Sequence, residues 1–375
     1  MIEHQLLKQF KNHFRSNGRV FSAPGKINIL GEQTEPFHGD VLASVINQKF
    51  YVVLAKRGGL DPFPIVRILS SKINDICEFN LFSHPPKQWM NYFWAVMKVI
   101  ESKGYQCTSF DLYIHSDIPV GAGLSSSAAL CAAFAKALNG LFNFGFTLQD
   151  LAQIGFEAES GILGLSSRFV DHFITIFGIN NTLLRVNCQT FEYEYIPFVF
   201  PQIKFAVFNS RVKESYTDFD LNARKQSVAQ SIEKIKSQNS DILHFKDISL
   251  NLLMENKKLI DPIDYNRIQF LIEEQNRVLN LCIDLKNNDL TSFHYLLYAS
   301  HEGLRDQYDV SCQELDFIVE AAQNTPGIIG AKMAGKGFGG SIVVVIEANQ
   351  YDNAIKLLSE KFEKKYLKTA IYYHI

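Results

Sequence analysis

The sequence has few of the features that mark secreted, membrane-spanning or nucleic-acid-binding proteins. Its six cysteines form no C-x-x-C pair, so their spacing indicates neither a disulfide framework nor a zinc site, and we expect reduced thiols. The 37 basic and 39 acidic residues nearly balance, which argues against a nucleic-acid or anionic-membrane partner. No apolar run approaches the ~20 residues of a membrane span, and the charged N-terminal segment lacks the apolar core of a signal peptide. We therefore expect a cytoplasmic protein.

The 375 residues, 47% of them hydrophobic, are enough for two globular domains. Helical and strand patterns mix without a regular βαβ period, which favours an α+β fold over a doubly wound sheet. Apolar spacing predicts helices over residues 4–16, 89–102, 147–161, 169–177, 221–237, 263–285 and 315–324. Strands are predicted over 50–55, 65–69 and 110–114, and on both sides of a glycine-rich turn within 327–346. Pro197 and Pro201 interrupt a further strand-like region and indicate a passage between domains.

The densest cluster of glycine and serine runs from Pro119 to Ala129 and reads Pro-Val-Gly-Ala-Gly-Leu-Ser-Ser-Ser-Ala-Ala. Its glycines permit positive φ and close approach to a ligand. Its serines fall at a predicted helix start, where free N–H groups and the helix dipole favour an anion. This pattern is typical of a segment that binds nucleotide phosphates. It is not the P-loop signature, because no lysine follows the second glycine. The alternative is a serine-capped buried helix after a glycine turn.

The stretch from Val20 to Glu35 is a poor strand sequence, because Lys26, Asn28 and two glycines lie among its apolar residues, and it indicates either a bulged edge strand or a site. Three stretches, taken in chain order, resemble the three signatures of the GHMP small-molecule kinases. They are Ala23–Glu32, the serine-rich loop Pro119–Ala129, and Gly330–Ser341. The galactokinase branch is the most similar: Gly31-Glu32-Gln33-Thr34-Glu35 resembles its G-E-H-T-D, Trp89–Tyr92 its W-x-N-Y, and Leu304–Asp316 its L-R-D-x-Y-x-V-S-C-x-E-L-D.

The resemblance implies a bilobal GHMP-kinase fold of class α+β. Residues 1–195 would form a ribosomal-protein-S5-domain-2-like α/β domain, and residues 196–375 a ferredoxin-like domain, with ATP and substrate in the cleft between them. The implied reaction transfers the γ-phosphoryl group of ATP to the anomeric hydroxyl of a sugar, most simply galactose, with Mg²⁺ as cofactor. The only partner implied is the small-molecule sugar, and a monomer or weak homo-oligomer is expected.

The resemblance also assigns site residues. Asp171 matches the catalytic carboxylate, acting either as a base or by stabilising charge, and Lys26 stands where the family has an active-site arginine. Ser127 and Glu159 match the magnesium ligands, and both offer hard oxygen atoms. The implied ATP contacts are Pro119, Gly121, Gly123, Leu124, Ser125, Ser126, Ser127, Gly335 and Gly337. Taken alone, Asp171 also fits a helix N-terminal carboxylate facing the dipole, and Glu159 an ordinary helix-surface group.

Departures from the family pattern cluster at the implied sugar contacts. Glu32 is retained, whereas the other four positions differ: Gln33 replaces a histidine, Glu35 an aspartate, Leu221 a tyrosine and Arg168 a glycine. Because a buried polar pocket discriminates steeply between hydroxyl patterns, another sugar remains an alternative: a uronic acid, an N-acetylhexosamine, arabinose or a sugar phosphate. A catalytically weak sugar sensor is the alternative from a different class of protein.

Arg168 lies three positions before Asp171 and permits two hypotheses. In the first, it pairs with Asp171, lowers the pKa of that carboxyl and supplements the charge of Lys26. In the second, its guanidinium binds a carboxylate or phosphate on the sugar bidentately. Lys336, which replaces a loop glycine, is expected to face either a phosphate or solvent.

Overall fold

The computed structural model describes residues 2–58, 63–119, 121–212 and 218–374. Val120 of the predicted phosphate loop lies outside the described residues. The chain divides into two compact units, the first comprising Met1–Lys26, Val45–Val120 and Leu124–Gly178, and the second comprising Ile27–Ser44, Gly121–Gly123 and Ile179–Ile375. The domain boundary between residues 195 and 196 stays a prediction.

The first unit combines helices with a mixed group of strands. Its helices are α1 (Ile2–Phe14), α2 (Asn91–Ser102), α3 (Ser126–Phe142), α4 (Leu148–Phe156) and α5 (Phe169–Phe177). Its strands are β3 (Ile65–Ser70), β4 (Ile73–Asn80) and β5 (Phe110–Ser116), with the start of β1 (Arg19–Leu30) and the end of β2 (Asp40–Lys56). β5 pairs antiparallel with residues 50–56 of β2 and parallel with β3, and β3 pairs antiparallel with β4.

Apolar spacing explains why the helices of the first unit form where they do. On α1, Leu6, Phe10 and Phe14 recur every four residues and pack against a cluster that includes Tyr113, which confirms the predicted amphipathic helix. α4 starts at the expected threonine, because the Thr147 hydroxyl accepts from the Asp150 backbone while the Asp150 carboxylate accepts from the Thr147 backbone. The predicted helix over 147–161 is confirmed, but its last turn differs in type: α4 ends at Phe156, and Glu157–Ile162 continue it as a π-helical turn.

The second unit contains the remaining elements. Its strands are β6 (Thr182–Asn187), β7 (Tyr193–Pro197), β8 (Ile203–Asn209), β9 (Ile328–Ala334), β10 (Ser341–Glu347) and β11 (Ile371–His374). Its helices are α6 (Asp218–Gln238), α7 (Leu250–Glu255), α8 (Pro262–Lys286), α9 (Phe293–Asp306), α10 (Gln313–Gln323) and α11 (Tyr351–Tyr366). β9 and β10 confirm the predicted strand–turn–strand. They belong to a four-stranded antiparallel sheet in the order β11-β8-β10-β9.

One apolar core supports the second unit. It joins the inner face of the four-stranded sheet to the helices, with buried Phe208 and Val344 from strands and Ile232, Leu271 and Leu358 from helices. Separately, residues 40–43 of β2 pair antiparallel with β6, which pairs with β7. Both units therefore mix helices with largely antiparallel strands, as the predicted α+β class requires. No helix in the described ranges has the length and apolar character needed to cross a bilayer.

Candidate active site

A carboxylate held by two cations forms the first part of the site. Asp171 lies in the first turn of α5 and pairs with Lys26, a 2% exposed side chain on β1. Arg168 immediately precedes α5 in extended backbone, and its Nε and Nη2 donate to the two oxygens of Asp171 at 3.0 and 3.1 Å. The predicted ion pair between Arg168 and Asp171 is therefore confirmed, although Arg168 caps the helix instead of lying within it.

These two cations decide the charge of Asp171. Burial alone would raise the pKa of this carboxyl, but Arg168 and Lys26 outweigh burial and hold the pKa well below its usual range. Asp171 is consequently ionised at neutral pH. The arrangement provides a fixed negative charge with two adjacent positive charges.

Glu159 forms a second, buried carboxylate centre on the π-helical turn. Its Oε2 accepts a hydrogen bond from Ser167 Oγ at 2.6 Å and lies 3.2 Å from His172 Nε2. Burial would raise the pKa of Glu159, yet His172 and the hydroxyls of Ser167 and Ser127 lower it below its usual value. Within the described part of the chain, Oε1 is buried and has no hydrogen-bond partner. An ionised oxygen left in that state is suited to a cation.

The serine-rich loop has the turned backbone expected of a phosphate-binding segment. Gly121 and Gly123 adopt φ of 74° and 69°, which confirms the expected positive-φ turn. α3 begins directly after Ser125, but in the described structure the Ser125 side chain makes no capping hydrogen bond. The serine-capped alternative is therefore not observed. The Ser125 side chain therefore does not occupy the first N–H groups of α3, which an anion could otherwise bind.

The loop is tied to the strand that carries Lys26. The buried Leu124 carbonyl accepts from the Lys26 backbone N–H at 3.1 Å. Gly25 makes this approach feasible, because a Cβ at this position would lie 2.7 Å from the Leu124 oxygen. The other predicted ATP contacts on this loop, Pro119 and Ser125 to Ser127, are partly exposed.

In the second unit, Glu32 connects the first and third sequence motifs. Its fully buried carboxylate accepts from Asn28 Nδ2 at 3.1 Å through Oε2 and from the Gly335 N–H at 3.0 Å through Oε1. Lys332, also fully buried, places Nζ 3.8 Å from Glu32 Oε1.

The other predicted residues of the second unit have separate environments. Gln33 has φ 65° and donates from Nε2 to the carbonyl of half-buried Lys336 at 3.2 Å. Glu35, partly buried, opens a short 3-10 turn. Gly337 has φ 95°, and a Cβ there would meet the Val310 oxygen at 2.1 Å. Leu221 packs, partly buried, against the core of the second unit.

Several residues of these clusters were not predicted. Ser167 and His172 hold Glu159, and Asn28 and Lys332 hold Glu32. A sequence signal exists for three of them, because His172 adjoins Asp171, and Asn28 and Lys332 are polar residues within apolar strands. Ser167 carries no such signal.

Comparison with known families matches three segments of the chain. The family described as GHMP kinases N terminal domain matches residues 91–179, and GHMP kinases C terminal matches residues 283–366. The galactokinase galactose-binding signature matches residues 8–56, a segment that contains Lys26 and Glu32.

Relatives match nearly the whole length. The galactokinase of Thermotoga maritima is 32% identical over 355 residues, covering 94% of this chain and 96% of that protein. The galactokinase of Fusobacterium nucleatum is 30% identical over 374 residues, covering 97% and 95%. The structure of Lactococcus lactis galactokinase complexed with galactose has a TM-score of 0.90 at 26% identity, covering 100% of this chain and 97% of that one. Methanococcus jannaschii mevalonate kinase, at 18% identity and covering 96% and 98%, shares the fold with a TM-score of 0.66.

The fold and the matched segments define the class as GHMP kinases, as the sequence motifs predicted. Identities of 30 to 32% to galactokinases, over almost the full length of the chain, identify the branch of this class. The chain belongs to the galactokinase family and is an ATP-dependent sugar kinase.

Proposed function

We propose that this chain phosphorylates galactose, transferring the γ-phosphoryl group of ATP to the anomeric hydroxyl. One observation carries the choice of sugar: the galactose-binding signature covers residues 8–56, which supply Lys26 to one cluster and Glu32 to the other. The names of the relatives and the galactose in the Lactococcus lactis structure support the same choice.

Asp171 accepts a hydrogen bond from the reacting hydroxyl in this proposal. As the sugar oxygen bonds to the γ-phosphorus, the bond from phosphorus to the ADP oxygen breaks and the hydroxyl proton passes to Asp171. Because its pKa is held well below the usual range, Asp171 is a weak base. A weak base suits a loose transition state, in which the attacking oxygen gains little positive charge until late. Orientation and charge are thus its main contributions.

Lys26 and Arg168 keep Asp171 ionised and orient its carboxylate. Lys26 acts from a buried strand position and Arg168 through a fork of two hydrogen bonds, so the carboxylate is ionised and fixed in direction. Phosphoryl transfer depends mostly on such positioning and on neutralising charge. The pair supplies the cationic charge that the family obtains from arginine at the position of Lys26.

The serine-rich loop and the glycine-rich turn bind the phosphates of ATP in this proposal. The N-terminal N–H groups of α3 and the hydroxyls of Ser125, Ser126 and Ser127 are the donors, with the backbone of Gly335 and Gly337 as further contacts. Ser127 and Glu159 would hold Mg²⁺, and the buried Glu159 Oε1 without a hydrogen-bond partner in the described chain fits that role. Bound there, Mg²⁺ would neutralise charge on the phosphate oxygens.

Sugar recognition in the second unit is proposed for Glu32, Gln33, Glu35 and Leu221. The Glu32 carboxylate supports this because it is a buried acceptor that Asn28 and Gly335 orient. A buried and preoriented acceptor of this kind rejects sugars that lack the matching hydroxyl.

The test is ADP release by the purified protein with ATP, Mg²⁺ and a panel of sugars. We expect galactose to give the highest kcat/KM among galactose, galacturonate, N-acetylgalactosamine, arabinose and galactose phosphates. A higher kcat/KM for another member would replace galactose as the substrate. No stimulation by any sugar would favour the sensor function instead.

We also propose a cytoplasmic location. The six cysteines are free thiols, and five of them are buried. Unpaired thiols in this number are typical of a reducing compartment.

A further inference from the structure

Two neighbouring side chains of α8 hold both ends of the segment Gly31–Asp40, which contains the proposed sugar contacts Glu32, Gln33 and Glu35. Glu274 Oε1 accepts from the Gly31 N–H at 2.8 Å. Gln275 Oε1 accepts from the Asp40 N–H at 2.7 Å. We name the segment Gly31–Asp40 the sugar loop. Both of its ends are thus attached to one rigid helix.

Glu274 is itself fixed in place. It is fully buried, its Oε1 also accepts from Ser300 Oγ at 2.9 Å, and its Oε2 accepts from Arg277 Nε at 2.7 Å. Charge-assisted bonds of this kind are short and directional, and a buried carboxylate so surrounded has little freedom to rotate. Its Oε1 is therefore a fixed point for the backbone of the sugar loop.

The sugar loop is closed on itself. Thr34 Oγ1 lies 2.8 Å from the Gly31 oxygen and 3.0 Å from the Asp40 oxygen, and the Gly39 N–H donates to the Thr34 oxygen at 3.0 Å. Because these hydrogen bonds link its two ends, we expect the sugar loop to shift as a rigid unit when a side chain that anchors it is replaced. Loss of the Glu274 anchor would displace Glu32, the residue next to Gly31.

We propose that Glu274 is a positioning residue for sugar recognition, acting through the Gly31 N–H and touching no substrate itself. The inference rests on the proposed function, which makes the sugar loop a sugar contact. A substitution far from the reacting atoms that misplaces the substrate by 1 Å can lower the rate about 10²-fold. Glu274 would therefore affect both sugar affinity and the discrimination between sugars.

The test compares Glu274→Leu with Glu274→Gln. Both remove the charge that faces Arg277, but glutamine keeps a carbonyl oxygen that can accept from the Gly31 N–H. If the unpaired charge of Arg277 prevents folding, each variant is combined with Arg277→Leu, because replacing a whole buried ion pair by apolar residues is often neutral. Any difference between Glu274→Leu and Glu274→Gln then reports the loss of the oxygen that accepts from the Gly31 N–H.

Asp264 provides a matched control on the same helix. It is 3% exposed and accepts from Ser227 and Ser231 at 2.7 and 2.8 Å and from Arg267, three residues later, at 3.3 Å. Its partners are thus of the same types as those of Glu274, serine and arginine, but these bonds do not involve the sugar loop. Asp264→Leu and Asp264→Asn report the cost of losing a buried carboxylate.

We expect Glu274→Leu to lower kcat/KM for galactose by about 10- to 100-fold, mainly through KM, while the KM for ATP stays within about twofold. Its preference for galactose over monodeoxygalactoses should shrink, and Glu274→Gln should retain most of both properties. A folded Glu274→Leu with unchanged KM and preference would overturn the inference, as would the same losses in Asp264→Leu. If the wild type phosphorylates a different sugar, the proposed function fails, and the same contrast with that sugar still tests Glu274.

Discussion

Replacing Arg168 by glutamine removes one of the two cations beside Asp171 and leaves Lys26 in place. Two hydrogen bonds, at 3.0 and 3.1 Å, are lost. Charged hydrogen bonds contribute about 1.5–3 kcal/mol, and exposed ion pairs about 0.2–1 kcal/mol. The Arg168 and Asp171 side chains are 19% and 17% exposed. We therefore expect the energy of this pair to lie between that of a buried charged hydrogen bond and that of an exposed ion pair. A loss of about 1.4 kcal/mol corresponds to a roughly tenfold lower kcat/KM for galactose.

The same change should move the acid side of the pH profile upward. The pKa of Asp171 is depressed because Arg168 and Lys26 outweigh burial, so removing Arg168 raises it. A neighbouring opposite charge lowers a carboxyl pKa, and its removal reverses that effect. Since the ionised carboxylate is the active form, the pH at which kcat/KM falls by half should rise. In the wild type this fall belongs below the ordinary aspartate pKa of about 3.9.

The assay measures ADP release with galactose and with galacturonate across the pH range in which each variant is folded. Arg67→Gln is the matched control, because Arg67 forms a similar fork to Asp111 at 2.6 and 2.8 Å within the same unit. An equal loss on both sugars is expected from the ion pair. A loss confined to galacturonate would refute this reasoning and make Arg168 a substrate contact. An unchanged pH profile would show that Arg168 does not control Asp171.

Two further predictions concern the proposed catalytic and metal residues. Asp171→Asn should lower kcat by about 10²- to 10⁴-fold while ATP binding, measured directly by calorimetry, stays nearly unchanged. Retention of more than about a third of wild-type kcat would remove Asp171 from the chemistry under that estimate. Ser127→Ala combined with Glu159→Gln should raise the Mg²⁺ concentration needed for half-maximal activity, because both proposed oxygen ligands are weakened. An unaltered Mg²⁺ titration would argue against this assignment.

Local sequence pattern predicted most of the helices and strands. The helix over 169–177 has the predicted bounds. Residues 172–176 are buried in succession, so this helix is buried on all sides over that turn. β2 starts at Asp40, ten residues before the predicted strand, and there local pattern was misleading. Asp40 is buried by Arg185, Lys246 and Gln275, which are distant in the chain, so its place in a strand depends on tertiary partners.

The motifs pointed to residues that the structure brings together, but not to the residues that hold them in place. Lys26 and Asp171 were predicted from separate motifs and form an ion pair. Glu274 was not predicted, since Glu273-Glu274-Gln275 within α8 is typical of a solvated helix face. Its burial depends on the Gly31 N–H, 243 residues away in sequence, and on Ser300, 26 residues away. Supporting residues of this kind can be identified only from the three-dimensional structure, which brings distant segments of the chain together.

The bond between Glu32 and Gly335 also has a consequence for the order in which the protein is made. The two residues are 303 positions apart. At a synthesis rate of about 5–20 residues per second, Glu32 is synthesised roughly 15–60 s before Gly335. During that interval the Glu32 carboxylate has neither the Gly335 N–H nor the Lys332 charge, so its burial is unfavourable. We therefore expect the Glu32 carboxylate to become buried only after Lys332 and Gly335 have been synthesised. In chains that end before Lys332, Glu32 should stay solvated and the backbone around it more open to proteases.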